Sequence, residues 1–386
     1  MEGLRRAEFL GGRRGKRALL GLSLLLLWPI SPLPGAVLVL KNGRTWRGRI
    51  RLWNEENYLI AREGILVPRK KAAWFSEKEE AGEVIREWWE GIRNRSDLED
   101  AVLPLARFCL QEGRLKEGLR FARLWGSFRK WDAFLSRNFL ILTDGKEGRA
   151  KLLGKRLDAA LDLLAREFPG GKIRPFGCVV RFFSSWKSFS RFALFLPGKP
   201  ETAYYDPAGR ILYLPDTRLK TSRSVFPDAY RETCSYFLQE CLLGFVPRRI
   251  WILVGTSLCF STAKWEKGRL KGAWGKIPDY VERIRVAMKS GTGVPLGRFF
   301  RATQKDFILG DAYKMFYAQS WAFVWFLHES RDPAHRQAYF RYLEILRRSK
   351  DEEKALREAF PPARLGRLER AWKAFFGVKP RAAGRR

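Results

Sequence analysis

The spacing of apolar positions changes three times along the chain. Between residues 37 and 76 the chain runs in short strand-like stretches, as in Val37-Leu38-Val39-Leu40, with further runs near Ile50, Leu59, Leu66 and Trp74. With Asn42-Gly43 as a hairpin turn, this pattern predicts a small β module. From 77 to 135 the step lengthens to three and four residues: Leu103, Leu105, Ala106, Cys109 and Leu110, a break at Gly113, then Leu115, Leu119 and Ala122. That spacing predicts a helical hairpin. A third region, 136–376, opens with strands predicted at 139–142, 178–183 and 211–214 and a helix at 153–168, then turns helical from 281 onward, including 317–327 and 337–346. A sheet followed by mainly helices is an α+β order. One helix stands between the two halves: Tyr230, Cys234, Phe237, Leu238, Cys241 and Leu242 share a face over 228–243, begun by Pro227 and Asp228 and ended by Gly244 with Pro247.

The first 36 residues follow neither period. Arg5, Arg6, Arg13, Arg14, Lys16 and Arg17 precede an apolar run over 18–30 and a Pro-containing stretch over 31–36, the layout of a secretory signal. The run is short for a membrane span, so cleavage near Ala36 and a periplasmic or extracellular location are expected, with an uncleaved signal anchor as the alternative. At the other end, 377–386 reads as a basic, frayed tail.

Composition sharpens this picture in three ways. A chain of 386 residues with 46% hydrophobic content, 15 Trp and 28 Phe has room for two or three domains and a large core, which excludes a disordered chain. The formal charge of +33 is scattered, and its densest clusters are short: Arg69-Lys70-Lys71, Arg248-Arg249 and Arg347-Arg348. Scattered charge indicates solvated helix faces and no specific nucleic-acid surface, although the field attracts anionic polymers and membrane surfaces in a salt-dependent way. Five cysteines, Cys109, Cys178, Cys234, Cys241 and Cys259, have no C-x-x-C spacing, which argues against a structural zinc site. One disulfide among Cys234, Cys241 and Cys259 and plain apolar packing both stay open.

Candidate chemistry is limited by two histidines, His328 and His335, separated by the helix-breaking Asp332-Pro333. They are not expected to share a helix face, so metal ligation by either is disfavoured, and no G-x-S-x-G accompanies them for a triad. Phosphate-binding glycine motifs are absent, whereas a glycosidase carboxylate pair stays open because its two acids need not be close in sequence.

The central helix contains Arg231-Glu232-Thr233-Cys234-Ser235, which has the frame of H-E-x-x-H with both histidines replaced. Arg231 and Ser235 hold the histidine positions, and Glu232 keeps the general-base position. Downstream, Trp251-Ile252-Leu253-Val254-Gly255-Thr256-Ser257 is similar to the W-L-x-E-G-x-A segment that supplies the third zinc ligand in gluzincin peptidases, with Val254 at the glutamate position. Residues 236–253 provide the eighteen-residue spacer of H-E-x-x-H-x18-E. Three more segments follow the same family order: Arg137-Asn138-Phe139-Leu140-Ile141-Leu142-Thr143-Asp144, then Ala203-Tyr204-Tyr205-Asp206-Pro207 with Ile211-Leu212-Tyr213-Leu214, and Tyr317-Ala318-Gln319-Ser320-Trp321, similar to the family's Y-A-x-S-W helix. Over 136–376 the chain therefore resembles the bacterial gluzincin-like metallopeptidases found in exported proteins of unknown function. The 37–76 module resembles an SH3-like barrel with its L-x-N-G-x-x-x-x-G run, and 77–135 a single tetratricopeptide-like hairpin serving as a spacer.

What the resemblance implies is a zincin fold that has lost its metal: zinc is not expected as a cofactor, and Glu232 and Val254 are expected on adjacent helices approaching one cleft. In this reading Arg231 supplies the positive charge that zinc would have brought, facing Glu232 or a carboxylate from another segment. Glu232 is then a vestigial base or a structural glutamate, and Tyr317 a cleft residue or a packed aromatic. The expected function is a non-catalytic binding or scaffold protein, a pseudo-metallopeptidase, holding an unidentified peptide or protein in the old cleft. The alternative is a hydrolase using non-standard ligands such as Glu232 and Cys234, or carboxylates elsewhere.

Overall fold

The computed structural model describes residues 36–40, 45–48, 50–54, 57–60, 65–68, 72–76, 80–194, 202–216, 225–308 and 312–377. Residues 1–35 of the expected signal, the Asn42-Gly43 turn, the Arg69-Lys70-Lys71 cluster and the tail beyond Gly377 lie outside them.

Six short strands open the described chain: β1 (Ala36–Leu40), β2 (Thr45–Gly48), β3 (Ile50–Asn54), β4 (Asn57–Ile60), β5 (Ile65–Pro68) and β6 (Ala72–Ser76). They form two three-stranded sheets, ordered β2-β1-β6 and β3-β4-β5, with every pair antiparallel. Three helices follow: α1 (Ala81–Ile92), α2 (Leu98–Gln111) and α3 (Leu115–Arg129). The α2–α3 pair is the hairpin predicted from the spacing around Gly113, whose φ of +76° suits the turn. Helix α1 is additional, and its buried Trp88 stacks on Trp74 of β6 at 5.8 Å.

Among the described residues the main sheet has five strands: β7 (Asp132–Leu135), β8 (Phe139–Thr143), β9 (Cys178–Phe183), β10 (Tyr204–Asp206) and β11 (Ile211–Pro215), in the order β10-β11-β9-β8-β7. The inner three strands are parallel, and both edge strands run antiparallel to their neighbours. Strand β8 is buried along its whole length because both faces of the sheet are covered. Leu140, Leu142 and Val179 join the core of α1, α2 and α3, while Ile141, Val180, Leu212 and Leu214 face the larger core. The α1–α3 helices thus share a core with the sheet, and β7 enters that sheet before residue 136.

Helix α4 (Glu147–Glu167) links β8 to β9, and α5 (Trp186–Ala193) lies between β9 and β10. Helix α6 (Phe226–Tyr236) continues without a break into a π-helical stretch, Phe237–Leu243, which Gly244 terminates at φ +75°. Then come α7 (Trp251–Phe260), a small hairpin of β12 (Lys264–Glu266) and β13 (Arg269–Lys271), and the helices α8 (Pro278–Ser290), α9 (Leu296–Phe299), α10 (Gln304–Ile308), α11 (Tyr313–Glu329), α12 (Pro333–Ser349), α13 (Glu352–Ala359) and α14 (Pro362–Phe375). The fold is a mixed α+β arrangement, a sheet followed by helices. No helix among the described residues is long and apolar enough to cross a membrane.

Two packing features fix the helices behind the sheet. A Cβ at Gly255 would lie 2.3 Å from the Ser320 carbonyl, so α7 and α11 approach at a distance that only glycine permits. Trp251 is fully buried among Phe299, Phe300, Phe323, Tyr342 and Phe360, with ring centroids 5.2 to 6.2 Å away. A side chain of that size stabilises by about 3 kcal/mol through burial, and each well-oriented ring pair adds about 1 kcal/mol.

Candidate functional site

The site forms where α6 passes one edge of the main sheet as formed by the described residues. Strand β10 is that edge, and in an antiparallel ladder alternate residues turn their N–H and C=O groups outward. An edge strand leaves these groups without a strand partner. Here two adjacent side chains of α6 take them: Glu232 Oε2 accepts from the Tyr205 N–H at 3.0 Å, and Arg231 Nη2 donates to the Ala203 carbonyl at 3.2 Å.

Arg231 and Glu232 also bond each other, Nε to Oε1 at 2.8 Å. Neighbouring helix residues do not ordinarily face one another, which is why a carboxylate from another segment was an alternative partner. Both side chains instead lean toward β10, and that shared target brings them together. Arg231 Nη2 donates to Thr202 Oγ1 at 3.1 Å, and Nη1 lies 3.3 Å from Asp228 Oδ1, one turn earlier on α6. Every nitrogen of the guanidinium is therefore engaged. Burial lowers the Arg231 pKa, but the Glu232 and Asp228 charges outweigh it and hold the group above its ordinary value. Burial pushes the Glu232 carboxyl above the usual carboxylate range, opposed by the Arg231 charge and by the bonds from Arg231 and the Tyr205 N–H.

The remaining expected site residues divide between two sides of α6. Tyr317 on α11, joined by Tyr280 on α8, which was not expected, lies within electrostatic reach of Arg231; burial raises both phenols, and the Arg231 charge opposes the rise. Tyr317 is half-buried, with its ring 5.7 Å from that of Phe307. Ser235 faces α7, where its hydroxyl lies 3.0 Å from that of Ser257. Val254, one helical turn before Ser257, is half-buried against the large core. Helices α6 and α7 thus pack together, Ser235 joins them, and the Glu232 carboxylate turns to the strand. Cys234 is fully buried, and burial raises its thiol, opposed by a contact from Ser257. All five cysteines are free and buried, which is the packing role.

The hairpin that carries Tyr205 is held at its turn as well. Asp206 accepts from the N–H groups of Ala208 and Gly209 at 2.9 and 3.1 Å, folding the chain behind Pro207. Arg210 follows at φ +54°, a left-handed conformation unusual for a side-chain-bearing residue. Its guanidinium pairs with Glu240 from the π-helical stretch, both side chains being 7% exposed, and its carbonyl accepts from the Val179 N–H at 3.1 Å. From the opposite face of the sheet, buried Arg107 on α2 donates to the carbonyls of Gly209 at 3.0 Å and Gly177 at 3.2 Å. Burial, with the nearby Arg210 charge, brings the Arg107 pKa down to about 10. Sequence reasoning missed Arg107, Arg210, Glu240, Ser257 and Tyr280. Only Ser257 had a local signal, because it sits three residues beyond Val254 on the same helix.

The histidines are elsewhere. His328 stacks on Trp274 at 3.5 Å, and burial lowers it to about 3, while His335 bonds the Ser330 hydroxyl through Nδ1 at 2.8 Å. Among the described residues no three His, Cys, Asp or Glu side chains group in a way that would hold a metal ion. A scan against protein-family models finds no match to the chain, and a search of curated proteins finds none.

Proposed function

We propose that this chain is a non-catalytic binding or scaffold protein of the cell envelope, built on a degenerate gluzincin-like fold in which Arg231 supplies the charge that a metal would bring. The observation that carries the reading is the engagement of both Glu232 oxygens, one by the Arg231 Nε–H and one by the Tyr205 N–H. Each oxygen keeps a second lone pair, but both are turned toward Arg231 and β10, an orientation that serves the sheet edge and aims neither oxygen at an incoming proton. Glu232 spends its carboxylate on closing a sheet edge.

The donor set supports the same reading. A zinc site of this kind needs three ligand atoms with lone pairs and one open position. Arginine has no lone pair to give a metal and valine has no donor atom, so Arg231, Ser235 and Val254 do not fit zinc. The residues around the pair, Thr202, Tyr280 and Tyr317, are suited to contacting a peptide or protein partner through hydroxyl groups and ring faces.

Calorimetric zinc titration of the full chain tests this. Wild type is expected to show no stoichiometric zinc binding, and the combined Arg231→His, Ser235→His and Val254→Glu variant is expected to gain a single site that no one of the three changes creates. Tight one-to-one zinc binding by the wild type would refute the reading. A folded triple variant that ignores zinc would break the alignment of these positions with metal ligands.

A further inference from the structure

We infer that the groove between α12 and the corner joining α13 to α14 docks an acidic, amphipathic segment of another protein. This surface shares no residue with the Arg231 neighbourhood and goes beyond the reading given above. The groove has a volume of about 1270 Å³ and runs into a second cavity of about 420 Å³ through shared Ala334, Ala338, Ala359, Pro361, Ala363 and Arg364. One wall is a single face of α12, with Ala334, Ala338, Arg341, Ile345 and Arg348 at three- and four-residue steps. That face spans 14 residue steps, about 21 Å, enough for roughly four turns of a docked helix. The opposite wall comes from Glu358, Pro361, Ala363 and Arg364.

Charge and floor together select the occupant. The two carboxylates of the wider groove are spent on its own walls: Glu344 pairs with Arg348 at 2.6 Å and Glu358 with Arg341 at 3.7 Å. Arg336, Arg364 and Arg367 have no carboxylate partner among the described residues, and against them stands one exposed carboxylate, Asp332, which caps α12 at the end of the narrower cavity, so the opening keeps an excess of two positive charges. Arg336 is set over the Phe340 ring at 5.8 Å. Beneath them the floor is apolar, with Phe340, Ile345, Ala338 and Leu365 all partly exposed. A phosphodiester chain would satisfy the arginines and leave this floor wet. A flat lipid surface would meet the arginines without filling the groove. A segment with acidic residues on one side and leucine-like residues on the other satisfies both, the helix-in-groove mode of recognition.

The probe is a fluorescein-labelled peptide of Glu and Leu residues at helical spacing, titrated against the full chain by anisotropy at moderate salt. The wild type is expected to bind it, and Arg336→Glu with Arg364→Glu to weaken binding at least about tenfold. A distant double reversal of equal charge, Lys116→Glu with Arg120→Glu on exposed positions of α3, is expected to change binding less than about threefold, since only the bulk field differs. Equal weakening by the two double variants would overturn the proposal by showing bulk attraction alone. So would an all-Glu peptide that binds as tightly as the Glu–Leu peptide, or a single-stranded oligonucleotide or anionic vesicles whose binding depends on Arg336 and Arg364 more than the peptide's does.

Discussion

Two arginine–glutamate pairs hold the β10–β11 hairpin, and they do so differently. Arg210 and Glu240 come from separate elements and are both 7% exposed, so their two charges are paired in a dry site. Arg231 and Glu232 are sequence neighbours, with side chains 22% and 12% exposed, and each also bonds the backbone at the edge strand. The first pair fixes a turn that contains a left-handed arginine. The second closes a sheet edge that would otherwise present unpaired N–H and C=O groups. Like chemistry thus serves a buried strut at one end and a semi-exposed edge cover at the other, so substitutions at the two ends should differ in size.

The largest effect is expected from the strut. Arg210→Met leaves the Glu240 carboxylate buried without its guanidinium partner, and should cost about 3–5 kcal/mol in urea unfolding. A loss below about 1 kcal/mol would erase the distinction between the two ends. A second, pH-dependent effect separates both pairs from a buried group that remains neutral. His328 is depressed to about 3 in the folded chain, so below its unfolded value near 6.5 the unfolded state binds the extra proton. Its contribution is present above about pH 6.5 and is lost as pH falls toward 3, with a limiting slope of about 1.4 kcal/mol per pH unit. Comparing urea unfolding of wild type and His328→Phe between pH 7 and 4 isolates that slope, which the variant should lack.

A smaller loss is expected at the edge. Glu232→Gln can still accept from the Tyr205 N–H, but its amide NH₂ then faces the Arg231 Nε–H, donor against donor. The expected cost is about 1–2 kcal/mol by the same unfolding assay. Because burial raises the Glu232 carboxyl, its native state holds the proton more tightly than the unfolded chain, so its ionisation erodes stability as pH rises from the ordinary carboxylate range through the folded pKa. The Gln variant should lack that part of the pH profile.

Local pattern carried much of the fold. The strand predicted at 178–183 is Cys178–Phe183, that at 139–142 is one residue longer, and the central helix starts two residues earlier than Asp228. These elements have clear periods and strong stop signals, so local rules suffice. The π-helical stretch after Tyr236 was not legible. Its geometry accompanies long-range partners: the Cys241 carbonyl accepts from the Lys172 N–H at 2.8 Å, and Glu240 meets Arg210. Strands β12 and β13 were also missed, being three residues each and rich in charge. At the site, Arg231 and Glu232 stood out because they are adjacent in a recognisable frame. Arg107 did not, because a buried arginine bonding carbonyls 70 and 102 residues away leaves no periodic trace.

Arg231 and Glu232 work as one structural unit at the sheet edge. A double-mutant cycle of Arg231→Met and Glu232→Gln, followed by urea unfolding at pH 7, measures that directly. The expected result is a favourable coupling of about 1–2 kcal/mol, with the double variant less destabilised than the sum of the singles. Strictly additive losses, or an Arg231→Met variant as stable as wild type, would contradict it.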